Sequence, residues 1–303
     1  MTVDVVCAGP PFLDLVFRGL PRLPEPGEEL LANELAIVPG AMANVAFAMR
    51  QLGLDAVVCA PVGTDPAGRL LQALMAEAGI SWLGRPTPAT PVSVGLPIDG
   101  DRAFVTHFPT PEVDAAAIAA AEPRAIVLNL PLPEGLISDL PDESLLIGVV
   151  GDPQIAILRD RGPESWAEMH AVVLNEREAL QLTDGRDAAS AADNLAARGC
   201  LVIVTRGERG VVAVEPDGAC HETAAVPVHA LDTVGAGDLF TAAWVWADLA
   251  GRPLDESLAV ATSYAAHSLA APGLRQKGLS RAAFLEAARA SEGSGDWMRE
   301  VRG

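Results

Sequence analysis

Short apolar runs recur along this chain and alternate with segments of helical periodicity. The runs are four to seven residues long and cover residues 3–9, 56–61, 124–130, 145–150, 171–174 and 201–205. Their composition, rich in Val, Ile and Leu, is typical of strands that are buried on both faces. Because helical segments separate these runs, the pattern predicts an α/β fold, with a mostly parallel central sheet in a three-layer αβα arrangement.

The helical segments are marked by spaced apolar positions and by stop signals. Residues 239–250 are apolar and helix-prone, and Gly251 and Pro253 follow them. Glycine after the last turn and proline shortly beyond it are ordinary signals of a helix end. Residues 254–270 and 281–290 are predicted to form two further helices.

One segment shows the alternating apolar and polar positions of a β-hairpin instead of helical periodicity. Residues 92–98 alternate loosely, Asp99-Gly100 is a turn signal, and residues 102–106 can return as the partner strand. Such a hairpin can build a small sheet outside the main αβα layers.

Length and charge limit the classes of function. The chain has 303 residues, which suits one α/β domain over residues 1–303, and its net charge is −19. This acidity argues against a nucleic-acid partner and against binding to an anionic membrane surface. With no signal peptide pattern and no apolar run long enough to span a bilayer, the sequence predicts a soluble cytoplasmic protein.

The residues that point most clearly to a functional site are Gly235-Ala236-Gly237, directly before Asp238 and the apolar helical run. Small residues at a helix N-terminus leave unpaired N–H groups and the positive dipole end open to an anion such as phosphate. Asp238 in the first turn can then accept a proton from an attacking hydroxyl. The alternative is a glycine-rich loop that caps a buried helix, with Asp238 as an acid favoured by the helix dipole.

Other phosphate-binding motifs do not fit the sequence. G-x-G-x-x-G fails in this stretch because Phe240 occupies the third glycine position, and no G-x-x-x-x-G-K-[ST] occurs in the chain. The stretch is therefore neither a Rossmann turn nor a P-loop.

A second small-residue stretch, residues 39–46, leads into another predicted helix. Asn44 there offers both a donor and an acceptor, which suits the hydroxyls of a sugar, although a structural amide is the alternative. Asp14, earlier in the chain, is either a turn acid or a carboxylate that accepts hydrogen bonds from a polyol.

Polar residues also stand where predicted strands end, namely Asn129, Asp152, Asn175 and Thr205. In open parallel sheets, ligands bind at these carboxyl ends. Asn175 and Glu178 are three apart and can order waters around Mg²⁺ from one helix face, or they can form an ordinary capping box. The glycine turn after Thr205 lies between two predicted strands, and as a hairpin it needs no function.

Taken together, these stretches resemble the signatures of the ribokinase-like, or PfkB, carbohydrate kinases. Residues 232–238 match the D-T-x-G-A-G-D signature at every position. The other resembling motifs follow the family order: the glycine–asparagine stretch at 39–46 (with Pro39 in place of the first glycine), V-G-x-D-x-x-G at 62–68, N-x-x-E at 175–178 and T-x-G-x-x-G at 205–210. The resemblance covers about residues 3–275.

The resemblance implies a role for each candidate residue. It implies substrate binding by Asp14, Gly40 and Asn44, and catalysis by Asp238 with Gly235, Ala236 and Gly237 as the anion hole. It also implies ATP binding by Thr205, Gly207 and Gly210, Mg²⁺ binding through water by Asn175 and Glu178, and a monovalent cation, K⁺, near Asp232 and Thr233.

The function that the resemblance implies is ATP-dependent phosphorylation of a hydroxyl on a small sugar or sugar acid. A small β lid, built from about residues 13–36 and 90–108, would cover the sugar, and its exposed edge offers a surface for a homodimer. A nucleoside kinase of the same family and a non-catalytic ligand-binding relative are the alternatives. The chain has few aromatic residues for stacking on a base, the candidates being Phe12, Phe104 and Phe108.

Overall fold

The computed structural model describes residues 3–98, 101–107, 113–161, 166–229, 235–271 and 278–290. Its strands are β1 (Val5–Ala8), β2 (Pro11–Arg18), β3 (Glu34–Ala41), β4 (Ala56–Cys59), β5 (Val62–Gly63), β6 (Ser81–Leu83), β7 (Pro86–Thr87), β8 (Val92–Ile98), β9 (Asp101–His107), β10 (Ala125–Asn129), β11 (Leu145–Val149), β12 (Ala171–Asn175), β13 (Leu201–Thr205), β14 (Val211–Val214) and β15 (Cys220–Thr223). Its α-helices are α1 (Met42–Gln51), α2 (Pro66–Glu77), α3 (Ala115–Ala121), α4 (Asp152–Arg161), α5 (Glu176–Leu182), α6 (Ala188–Ala196), α7 (Ala236–Leu249), α8 (Leu254–Ala270) and α9 (Arg281–Ala290).

A nine-stranded sheet with the order β15-β14-β13-β12-β11-β10-β1-β4-β6 runs through the middle of the molecule. All neighbours from β6 to β13 are parallel, and only the β13–β14 and β14–β15 pairs are antiparallel. The parallel pairs put the carboxyl ends of seven strands along one edge of the sheet. The prediction of a mostly parallel sheet is therefore confirmed.

Helices cover both faces of this sheet. Side chains alternate along β10, so that Ala125 and Val127 join one buried cluster while Ile126 and Leu128 join the other. The first cluster includes residues of α1, α2, α7, α8 and α9, and the second includes residues of α3, α4, α5 and α6. The fold is a three-layer αβα arrangement. No helix in the described part of the chain is long and apolar enough to cross a membrane.

A separate four-stranded sheet has the order β3-β2-β8-β9. The predicted hairpin forms β8 and β9, which are antiparallel, while its turn at Asp99-Gly100 lies outside the described residues. The other two strands, β2 and β3, connect β1 to α1. This smaller sheet overlaps the ranges given above for the lid and continues to Ala41.

The hydrophobic pattern did not predict strands β2 and β3, and the predicted helix opening at Pro39 and Gly40 is wrong. In the structure both residues belong to β3, and α1 begins only at Met42. Proline weakened the strand signal, but it is tolerated here because β3 is an edge strand. In β2 the charged Asp14 interrupts the apolar pattern.

The V-G-x-D-x-x-G segment builds a tight corner. The Asp65 carboxylate accepts hydrogen bonds from Gly68 N at 2.8 Å and from Thr90 Oγ1 at 2.5 Å. A Cβ on Gly63 would overlap Thr90, and one on Gly68 would overlap the Gly63 carbonyl oxygen. Hydrogen bonds, first of all the one from Thr90, lower the pKa of Asp65. This motif therefore anchors the segment that leads into β8.

Candidate active site

The N-terminal ends of two helices meet at the carboxyl edge of the central sheet. Asn44 is the third residue of α1, and Asp238 is the third residue of α7. Asn44 Nδ2 donates a hydrogen bond to Asp238 Oδ2 at 3.1 Å, across 194 positions of sequence. This contact orients the carboxylate of Asp238 and fixes the two helix ends beside each other.

The start of α7 has the geometry of an anion cradle. Gly235 is the N-cap residue in the left-handed conformation, with φ of 78°, and no side chain caps the helix. The N–H groups of the first turn therefore lack intrahelical acceptors and face outward. Gly237 is exposed, and a Cβ there would meet no atom within 4 Å. The space before the helix end is open to an anion.

Asp14 lies close to this junction. It is partly buried, and burial together with the negative charge of Asp238 raises the pKa of Asp14 to about 7. A Cβ on Gly40 would overlap the carboxylate of Asp14, so the glycine lets this carboxylate lie against the backbone of β3. The structure thus brings Asp14, Gly40 and Asn44 together around Asp238.

Cys7 lies beneath the junction on β1 and is fully buried. Burial, and second the charge of Asp238, raise the pKa of its thiol far above the usual range. A thiol held neutral in this way is a small apolar group and not a nucleophile. The thiol therefore adds no charge to this junction.

A second cluster lies at the ends of β12 and β13, where Asn175 and Thr205 are register partners. Asn175 and Glu178 form the capping box: Asn175 N donates to Glu178 Oε2 at 2.8 Å, and Glu178 N donates to Asn175 Oδ1 at 2.9 Å. Glu178 is buried. Because the box occupies one oxygen of each side chain, this pair fits a hydrated Mg²⁺ better than a directly bound one.

The glycine turn after Thr205 is firmly attached to its surroundings. Gly210 has φ of 82°, and a Cβ there would overlap the carbonyl oxygen of Thr223 on the neighbouring strand. Arg206 forms an ion pair with Glu222 at 3.1 Å, and Arg209 forms one with Glu176, the first residue of α5. The second ion pair links the turn to the helix that carries Glu178. Gly207 at the tip is exposed, with open space around it.

Some predicted positions lie outside the described residues, namely Asp232, Thr233 and Phe108. Two further polar groups lie beside the cluster of Asp14, Asn44 and Asp238, and no sequence motif predicted a role for them. Ser93 and Thr106 lie beside Asp14 in the register of the smaller sheet. Only strand pairing could have revealed them, because their sequence neighbourhoods carry no motif.

Comparison with known proteins agrees with the αβα fold and identifies its family. Residues 142–280 match the pfkB family carbohydrate kinase profile. A fructokinase from Klebsiella pneumoniae is 30% identical over 250 residues, which are 73% of this chain and 79% of that protein. The chain belongs to the pfkB family of carbohydrate kinases.

Other relatives extend the comparison. The bifunctional protein HldE of Bradyrhizobium diazoefficiens is 29% identical over 293 residues, and the match covers 86% of this chain but only 58% of HldE. The chain therefore spans little more than half the length of that relative. A structure of Arabidopsis thaliana ribokinase complexed with ribose and ATP has a TM-score of 0.73 at 20% identity, with 94% of this chain and 98% of that chain covered. Similarity at this level of identity shows the fold.

Proposed function

We propose that this protein transfers the γ-phosphoryl group of ATP to a hydroxyl of a small sugar or sugar acid. The observation that carries the proposal is the hydrogen bond between Asn44 and Asp238, which unites the two helix termini beside Asp14. A carboxylate, an amide and an open anion cradle at one point are the groups that phosphoryl transfer requires, since this reaction depends on positioning and charge stabilisation.

The reaction begins with the acceptor hydroxyl held against Asp238. Its carboxylate accepts the hydroxyl proton as the oxygen forms a bond to the γ-phosphorus, and the bond from that phosphorus to the β-phosphate oxygen breaks to release ADP. The N–H groups of Ala236 and Gly237 stabilise the charge on the transferring group. Asp14 and Asn44 hold neighbouring hydroxyls of the acceptor.

ATP and Mg²⁺ are assigned to the second cluster. Thr205, Gly207 and Gly210 would contact the nucleotide, and Asn175 and Glu178 would hold Mg²⁺ through water. The metal supplies neutralisation of phosphate charge when bound. The structure of Arabidopsis thaliana ribokinase, which holds ribose and ATP, supports the proposal that the two substrates are a sugar and ATP. Asp232 and Thr233 remain the proposed K⁺ site. We place the reaction in the cytoplasm, where ATP is available.

The smaller sheet is proposed to be the lid over the acceptor. Asp14 pairs with Ser93 and Ser93 pairs with Thr106, so the three side chains form one row on one face. Ser93 Oγ and Thr106 Oγ1 lie 2.9 Å apart and form a hydrogen bond. With strands about 4.8 Å apart, the row extends roughly 10 Å from Asp14. It offers hydroxyl groups to a polyhydroxylated substrate and keeps water from the transferring phosphoryl group.

A nucleoside acceptor is the second candidate, and one observation favours it. Phe104 pairs with Gly95, two residues along β8 from Ser93, and its Cε1 would lie 2.9 Å from a Cβ on that glycine. The ring therefore lies on the face that carries Asp14, where it could stack on a base. A non-catalytic relative is the third candidate and would bind ATP without turnover.

The opposite face of the smaller sheet is proposed to join two copies of the chain. Ile37, Leu15, Val94 and Val105 are successive register neighbours, and together they form an apolar row across all four strands. Ile37 is 38% exposed and Val105 is 67% exposed. A continuous apolar row of this kind suits a self-complementary contact between identical sheets.

The proposed activity is tested by ADP release with Mg-ATP across pentoses, hexoses, keto-deoxy sugar acids and nucleosides, with and without K⁺. Turnover on a sugar or sugar acid supports the first candidate, and turnover on nucleosides alone supports the second. Tight ATP binding without turnover on any acceptor would contradict the proposed kinase activity.

A further inference from the structure

Asn129, the last residue of β10, carries a polar atom that the described part of the protein leaves without a partner. Its side-chain oxygen Oδ1 is buried and has no hydrogen-bond partner among the described residues. A buried acceptor without a donor is unfavourable and rare in folded proteins. An amide oxygen in this state can accept a hydrogen bond from a donor on a bound molecule.

The position of Asn129 places it under the candidate active site. Its side chain follows Ala125 and Val127 in the alternation of β10, and those residues face the layer that contains α1 and α7. Helix α1 packs on β1 and β4, while α7 contacts β12. The end of β10 thus lies below the seam between these two helices, at the edge where Asn44 and Asp238 meet.

The local packing fixes the amide in this position. A Cβ on Gly9, just past the end of β1, would overlap Asn129 Oδ1, and it would lie 3.1 Å from Cγ of Met42. The absence of a side chain at Gly9 therefore makes the space that the Asn129 amide fills. Met42 is the first residue of α1, two positions before Asn44.

We infer that the side-chain oxygen of Asn129 accepts a hydrogen bond from a hydroxyl of the phosphoryl acceptor, so that Asn129 is a specificity-determining residue. This inference rests on the proposed kinase function. A buried amide oxygen requires a hydrogen-bond donor. A sugar that lacks the corresponding hydroxyl supplies no donor and leaves this oxygen unpaired. Asn129 would thus select the hydroxylated sugar over its deoxy analogue.

The test compares Asn129→Ala and the similarly sized Asn129→Leu with the wild-type protein. The probes are D-fructose, D-ribose and their single-deoxy analogues, with binding measured by calorimetry and KM measured in the ADP assay. Because no hydrogen bond within the described protein is lost, we expect at least one variant to keep the wild-type melting temperature. Its affinity for the sugar should fall about tenfold, while the KM for ATP should stay unchanged.

The deoxy analogues give the sharper readout. One of them should bind the wild-type protein about tenfold more weakly than its parent sugar, and this difference should vanish in the Asn129 variants. Ser144→Ala is the matched control, since Ser144 Oγ donates to the Pro123 carbonyl oxygen at 2.6 Å, just before the start of β11 at the opposite edge of the sheet. That variant should lose stability and keep its sugar affinity.

Two outcomes separate this inference from the proposed function. Wild-type turnover combined with unchanged sugar affinity in both Asn129 variants would overturn the inference alone, and would assign the amide to a bound water. Sugar binding without any phosphoryl transfer would overturn the kinase function, while the deoxy comparison would still decide the role of Asn129. Failure of every sugar and sugar acid in the ADP-release panel to bind the wild-type protein would count against both.

Discussion

Asp14 is the residue whose surroundings differ most from those of an ordinary surface carboxyl. Burial and the neighbouring Asp238 charge raise its pKa from 3.8 to about 7. The folded protein thus holds a proton that the unfolded chain releases, and the free energy of unfolding falls as the pH rises from about 4 to 7. Above pH 7 the carboxylate is ionised, and the free energy of unfolding is lowered by the full cost of burying this charge.

Asn at position 14 removes this charge with little change in shape. We expect Asp14→Asn to raise the free energy of unfolding at pH 8 by roughly 2–4 kcal/mol. The gain should shrink toward zero near pH 4. Urea unfolding at several pH values measures the gain in the free energy of unfolding and its dependence on pH. A difference between variant and wild type that stays constant over this pH range would contradict the assignment of a raised pKa to Asp14.

The same titration should govern sugar binding. If ionised Asp14 accepts hydrogen bonds from the sugar, kcat/KM for the sugar should fall as the pH drops below about 7. In Asp14→Asn this fall in kcat/KM at low pH should disappear, and kcat/KM at high pH should be lower than in the wild type. A pH profile at saturating ATP measures this fall, and an unchanged fall in the variant would assign it to another group.

Among single residues, the sequence predicted Asp238 and its preceding glycines as candidate site residues, but it did not predict which side chains lie beside them. The glycines before Asp238 and the helix after them were sufficient to predict an anion site at a helix start. The contact from Asn44 could not be predicted from spacing, because it joins positions 194 residues apart and depends on how α1 and α7 pack. The row from Asp14 to Thr106 likewise depends on strand register.

Within β3, Gly40 is the position where the backbone of one element fits a side chain of another. An alanine at position 40 would overlap the Asp14 carboxylate and force it away from the junction. We expect Gly40→Ala to raise the KM for the sugar at least tenfold and to leave the KM for ATP unchanged. Steady-state kinetics with each substrate varied in turn measures this.

Gly53→Ala provides the control, because Gly53 follows the other end of α1 and has open space around it. Its φ of 96° should cost about 1 kcal/mol of stability on replacement, without an effect on either KM. Equal effects of the two substitutions on sugar KM would mean that helix stability, and not the Asp14 carboxylate, controls sugar binding.

Among the elements, six strands of the central sheet, β1, β4 and β10 to β13, were predictable because continuous apolar runs bounded by turns are distinctive. Helices α7, α8 and α9 were predictable from their stop signals and periodicity. The edge strand β3 was not, since Pro39 and Gly40 normally argue against a strand. Their place in β3 depends on pairing with β2, which a local pattern does not reveal.

For the whole molecule, the apolar row on the smaller sheet predicts self-association. We expect the wild-type chain to sediment as a dimer and Val105→Glu to sediment as a monomer, because a charge would then lie within an apolar contact, at its most exposed position. Phe104→Ser, on the opposite face, should leave the dimer intact. Sedimentation of wild type as a monomer at micromolar concentration would contradict the proposed interface.

The proposed phosphoryl transfer depends above all on Asp238, which Asn44 holds at the junction of α1 and α7 and which we propose as the base. The most direct measurement is transfer of the γ-phosphoryl group to the sugar by wild type and Asp238→Asn, together with ATP affinity. We expect kcat to fall about 10²–10⁴-fold in the variant, with ATP affinity within threefold of wild type. Transfer by Asp238→Asn at a rate close to that of wild type would contradict the proposed role of Asp238 as the base.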